Sequence, residues 1–136
     1  MELHWRKGKD AELVAWRKDK FKLVKCVKIE HEDLIPRYGE WGKYFKRGNV
    51  GVLCLLKHKE TKSHLLVVNT HLYWNRTYDY VKYGQTFWLL FQIQKFLKEN
   101  NLSMDTLPVV VCGDFNSKAN DSSVHLMMNK PYLLTQ

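Results

Sequence analysis

Cysteine, proline and glycine are all scarce: Cys26, Cys54 and Cys112 are the only thiols, with three Pro and seven Gly in 136 residues. Each cysteine stands singly in an apolar run. An odd number without CxxC or Cys/His spacing argues against a zinc cluster and a disulfide framework. They read as reduced core residues of a cytoplasmic or nuclear protein. No apolar run approaches the length of a membrane span, and Met1 is followed by charged residues rather than an apolar signal stretch. A P-loop, a Rossmann glycine fingerprint, a nucleophile elbow and an HExxH helix are all missing. His4, His31, His58, His64 and His125 show no metal-ligand spacing. No internal repeat or low-complexity tract occurs, so one domain is expected.

What the chain does have is positive charge and aromatic rings. Its 22 basic and 14 acidic residues give a net charge of +8, and 13% of the residues are aromatic, five of them Trp. Such an excess favours polyanionic partners, nucleic acid among them, but carries no sequence specificity. A hydrophobic share of 45% is ordinary for a globular protein and argues against disorder.

Residues 1–10 are polar and read as a loop. ELVAW (12–16) and FKLVKCVKIE (21–30), separated by RKDK, predict a hairpin. Residues 31–48 show neither period and read as a long loop. NVGVLCLLKH (49–58) and HLLVVNTHLY (64–73), joined by KETKS, predict an antiparallel pair of buried strands. In residues 79–100, Phe87, Leu90, Ile93 and Leu97 follow the helical period, and Asp79 can cap the start. A strand over 109–112 and a short helix over 121–129, capped by Asp121 or Ser122, complete the order. The fold class is α/β, a mixed sheet covered by helices.

The chemistry gathers at strand ends. VVVC runs into Gly113-Asp114-Phe115-Asn116, placing a carboxylate and a carboxamide at the sheet's carboxyl edge, where α/β folds bind ligands. Asp114 offers a general base or a metal ligand, and Asn116 an oxygen and an amide donor. The same residues also suit a plain Asx-turn after a core strand. His71 ends the VVNTH strand; it can face a phosphate oxygen or serve as a structural histidine. Trp74 and Arg76 just beyond it can stack on bases and pair with phosphates, or pack under the following helix. Trp41, Tyr44, Phe45, Lys46 and Arg47 interleave rings with charge, as a single-strand nucleic-acid surface or a solvated loop does.

Taken together, NVGVLCLL, LLVVNTHLYW, the helix near DYVKYGQ and VVVCGDFNSKANDSSVHLM resemble the endonuclease/exonuclease/phosphatase superfamily. Within it they are similar to the carbon catabolite repressor type of poly(A)-specific ribonuclease of the CCR-NOT complex, with Angel and nocturnin as relatives. The resemblance implies a four-layer α/β sandwich that hydrolyses RNA phosphodiesters with Mg²⁺ and shortens mRNA poly(A) tails. It implies that Asp114 orients the attacking water and binds metal and that Asn116 supports metal or phosphate. His71 would stabilise phosphate charge, and Asn49 would serve a substrate-side role beside Trp74 and Arg76.

The chain departs from that pattern at three places. No Leu-Gln-Glu strand motif with its metal-binding Glu is present, and no Ser-Asp-His motif occurs before Gln136. The family's Trp-Asp-Pro reads Trp74-Asn75-Arg76. The expectation is therefore a single partial domain over residues 1–136, a central piece whose own activity is small or nil. A phosphatase or 2′-phosphodiesterase of the same fold, and a non-catalytic RNA-binding or scaffold module, are the alternatives. Partners are expected to be RNA and CCR-NOT subunits, with no membrane.

Overall fold

The computed structural model describes residues 1–6 and 10–128. Within them the chain forms β1 (Glu2–Arg6), β2 (Asp10–Val14), β3 (Phe21–Glu30), β4 (Val50–His58) and β5 (His64–His71). Then come α1 (Asp79–Glu99), β6 (Val109–Asp114) and α2 (Ser122–Met127), with 3₁₀ turns at His31–Phe45 and Arg76–Tyr78.

The main sheet runs in the order β3-β4-β5-β6. Its first two pairings are antiparallel, and β5 pairs with β6 in parallel after the α1 crossover. This is the mixed α/β sheet expected from the alternation of strands and helix. Strand β4 is apolar on both faces and is buried on both, as the central position of a covered sheet requires. One face packs Leu53, Leu55, Leu66 and Val68 against Trp88, Leu89, Ile93 and Phe96 of α1. Each such side chain contributes about 1.5–3 kcal/mol on burial. On the other face Val52, Cys54 and Leu56 meet Val14 of the small β1–β2 sheet.

Four expectations about the elements change. Residues 2–6 are a strand, not a loop: β1 pairs with β2 in register from Glu2–Val14 to Arg6–Asp10. That pairing takes β2 away from β3, so the anticipated hairpin over 12–30 does not form, and β3 pairs with β4 instead. The turn at 17–20 is real, closed by Phe21 N–H donating to the Arg17 carbonyl at 2.8 Å. Residues 31–45 wind into 3₁₀ turns broken at Gly39, with Leu34 and Phe45 packed towards the core. A 3₁₀ winding has a period of three, which a search for 3.6 or 2 passes over. Lastly, Asp79 is the first residue of α1 and not its cap, which is Tyr78.

The cysteines are free, but only Cys54 is fully buried. Cys26 and Cys54 lie Sγ to Sγ at 3.5 Å across β3 and β4, and burial pushes the Cys54 thiol up to about 12. Cys112 lies exposed on β6 rather than in the core. Even there desolvation raises its thiol above the ordinary value, which disfavours the thiolate. No helix among the described residues is long and apolar enough to cross a membrane.

Candidate active site

Parallel pairing carries β5 and β6 out of the sheet side by side, and the last register pair is His71 with Asp114. Side chains alternate along a strand, so Asn69 and His71 share a face, as do Cys112 and Asp114. The His71 Nε2 atom lies 3.9 Å from Asp114 Oδ2, and the Asp114 side chain is 65% exposed. Leu72 N–H closes the pair by donating to the Asp114 carbonyl at 2.9 Å.

Gly113 makes this approach possible. It adopts φ 132, and a Cβ there would stand 1.9 Å from the Thr70 carbonyl oxygen. No side chain fits that space.

Asn116 does not continue the alternation of β6. Its φ is 48, which turns the chain back so that its Nδ2 donates to the Leu72 carbonyl at 3.0 Å. Its backbone N–H donates to Asp114 Oδ1 at 2.9 Å. The Asx-turn and the functional reading of GDFN are thus compatible: the turn orients the Asp114 carboxylate.

Beneath this edge lies a polar support that sequence reasoning missed. Lys82 on α1 is 1% exposed; its Nζ reaches the Asn116 carbonyl and Asp121 Oδ2, each at 3.1 Å, and Asp79 Oδ1 at 3.5 Å. Asp79 also accepts from Ser122 on α2. Burial alone would raise Asp121, but the Lys118 N–H and the Lys82 ammonium outweigh it and hold the carboxyl below its usual range. The one available signal was Asp79 and Lys82 at i, i+3 spacing, which on an isolated helix reads as a surface pair.

The structure places Asn49 in this support. It is 1% exposed, its Nδ2 donates to the His71 carbonyl at 2.8 Å, and its Oδ1 accepts from Gln85 at 3.1 Å. Gln85 in turn accepts from Tyr73 N–H at 2.8 Å. Both ends of the Asn49 carboxamide are used within the protein, so it bonds the His71 strand end rather than facing solvent. Trp74 and Arg76 are exposed beyond His71, and Asn75 caps the short turn by accepting from Thr77 N–H at 3.0 Å.

The donors bear on the implied cation. Asp114 and Asn116 offer oxygen, the element that hard divalent cations prefer. Among the described residues no group of three His, Cys, Asp or Glu side chains could hold a metal. By chemistry the pair could supply part of a hard divalent cation's oxygen shell. A cleft of about 720 Å³ lies at the opposite end of the sheet around Phe21, His58, Thr61, Ser63, His64 and Pro108.

No family model matches the chain. It is 29% identical over 126 residues to the CCR4-Not complex 3′-5′-exoribonuclease subunit Ccr4 of Candida albicans, covering 84% of this chain. A solved structure of ANGEL2, described as a 2′,3′-cyclic phosphatase in complex with adenosine-2′,3′-vanadate, superposes on 94% of the chain with a TM-score of 0.73 and 26% identity. An endonuclease/exonuclease/phosphatase family protein from Bacteroides thetaiotaomicron covers 84% of it with a TM-score of 0.63 and 16% identity, a likeness of fold. The chain spans 16% of the Candida relative, 35% of the ANGEL2 chain and 38% of the Bacteroides chain.

Proposed function

From a chain that is related to the Ccr4 exoribonuclease subunits and ANGEL2 and shares the endonuclease/exonuclease/phosphatase fold, we propose that the parent protein is a Mg²⁺-dependent 3′-5′ exoribonuclease acting on poly(A). The observation that carries the reading is the His71–Asp114 pair at 3.9 Å, on neighbouring parallel strand ends.

In this reading Asp114, held by the Asn116 N–H, orients a water for attack on phosphorus and accepts its proton. His71 donates to a non-bridging phosphate oxygen as charge builds there. Asn49 and Gln85 are positioning residues that fix the backbone on which His71 and Tyr73 ride. Asp114 and Asn116 would hold part of the cation's shell; bound there, the cation would neutralise phosphate charge. Trp74 and Arg76 would contact the RNA. The parent would work as a CCR-NOT subunit in the cytoplasm.

The chain itself is proposed to be a partial domain with little or no activity, because its sequence carries no Leu-Gln-Glu motif and no group of three His, Cys, Asp or Glu side chains among the described residues could hold a metal. The test is Mg²⁺-dependent shortening of labelled oligo(A) by the parent protein and by this chain, each against Asp114→Ala. Loss of about a hundredfold or more in the parent variant is expected, with a thermal midpoint close to wild type because Asp114 is exposed. Parent activity that survives the substitution rejects the assignment. Robust, Asp114-dependent cleavage by the short chain rejects the partial-domain reading.

ANGEL2's description favours a second reading, hydrolysis of a terminal 2′,3′-cyclic phosphate. Parallel assays on oligo(A) and on an oligonucleotide with that end separate the two. RNA binding without cleavage of either would point to the non-catalytic module.

A further inference from the structure

A cleft of about 400 Å³, lined by Trp41, Tyr44, Phe45 and Tyr80, opens beside the start of α1. Its walls are rings in fixed contact. Trp41 and Tyr44 stand 5.8 Å apart, and Phe45 meets Tyr80 edge-on at 5.9 Å. Phe45 seats against Gly84 of α1, where a Cβ would stand 2.6 Å from the ring. Trp41 is 70% exposed, and Tyr44 and Tyr80 are exposed as well. Leaving that much aromatic surface in water forfeits burial energy, and contiguous exposed patches of this kind mark binding sites.

A chain of ring contacts runs from the cleft towards the candidate active site. Tyr80 leads to Tyr78 at 5.9 Å and Tyr78 to Tyr73 at 6.0 Å, and Tyr73 lies two residues beyond His71. Cations line the same path. Arg47 sits over the Tyr73 and Tyr78 rings at 4.9 and 5.4 Å, and Lys43 over Tyr44 at 5.3 Å. Residues 41–48 carry Lys43, Lys46 and Arg47 and no acidic residue.

Rings spaced along a basic track suit a single-stranded polyanion whose bases stack while its phosphates meet the cations. An uncharged protein segment would use the apolar cleft but not the row of cations leading to it. We infer that the Trp41/Tyr44/Phe45/Tyr80 cleft receives a base of single-stranded RNA, a few nucleotides upstream of the end that lies at His71 and Asp114. This rests on the RNA reading above and adds to it a second contact remote from the reacting phosphate. With ring carbon as its main lining, the cleft grips by stacking and accepts any base.

The experiment is equilibrium binding of labelled oligo(A) from two to ten nucleotides to this chain, its Trp41→Ala variant and its Trp41→Phe variant. Wild-type affinity is expected to step up once the RNA is long enough to reach the cleft. Trp41→Ala loses that step, about tenfold on the ten-mer, and Trp41→Phe retains most of it. A ten-mer bound equally well by wild type and Trp41→Ala overturns the cleft assignment while the RNA reading stands. Failure of the wild type to bind RNA of any length overturns the RNA reading, and the cleft assignment with it.

Discussion

At the scale of single residues, the edge is defined by one glycine and two side chains. Gly113→Ala places a methyl group against the Thr70 carbonyl and demands a backbone angle that L residues rarely adopt. We expect it to destabilise the chain by about 2 kcal/mol or more and to part His71 from Asp114. Denaturant unfolding and the NMR shifts of the His71 ring would read both effects. The meeting of His71 and Asp114 at one edge was legible because strand ends in open α/β sheets collect ligand chemistry, and two apolar strands both ended in polar residues. The part played by Asn49 was not legible: nothing in GNVGV shows that its carboxamide is spent on the His71 carbonyl and Gln85. A buried amide and a ligand-facing amide look alike in a sequence.

At the scale of elements, α1 does two tasks that its composition conceals. Its C-terminal half supplies the core through Trp88, Leu89, Ile93 and Phe96, while its first turns bury Lys82 and Gln85 under the site. The apolar stripe read from periodicity therefore fits only in part: Ile93 and Leu97 are buried, but Phe87 is 45% exposed. The reason is that the buried face begins with polar residues, which a hydrophobic count leaves out. Lys82→Met removes the cation that Asp79 and Asp121 share and leaves the Asn116 carbonyl without its donor. Because both carboxylates retain some solvent contact, the expected cost is about 3 kcal/mol, at the lower end of that for breaking a buried pair. Hydrogen exchange should quicken first at the 115–121 amides, before the sheet opens. The strand pairings within 49–73 were legible from their length and turn, whereas the β1–β2 pairing depends on a strand hidden in a charged N-terminal segment.

At the scale of the molecule, tolerance to acid is set in part by His31. It is fully buried with its Nε2 2.9 Å from Thr70 Oγ1, and burial, reinforced by the His4 imidazole, pushes its pKa down to about 4. The folded chain keeps it neutral, while the unfolded chain takes up a proton below its ordinary value near 6.5. Stability from this group is therefore full above pH 6.5, is lost as pH falls towards 4, and changes no further below that. The loss amounts to about 3 kcal/mol. Urea unfolding between pH 7 and 4 should show it, and a His31→Gln variant should show a shallower decline.

The sheet order has a consequence for handling. Strand β6 is one of the two edge strands of the main sheet among the described residues, paired with β5 on one side. Among the described residues its other rim pairs with no strand, which makes it a template for a foreign strand, and Val110 of the same strand is exposed. Raised concentration would then favour strand-to-strand oligomers joined through β6, covering the very rim that ends in Asp114. Solubility and access to the site would rise and fall together.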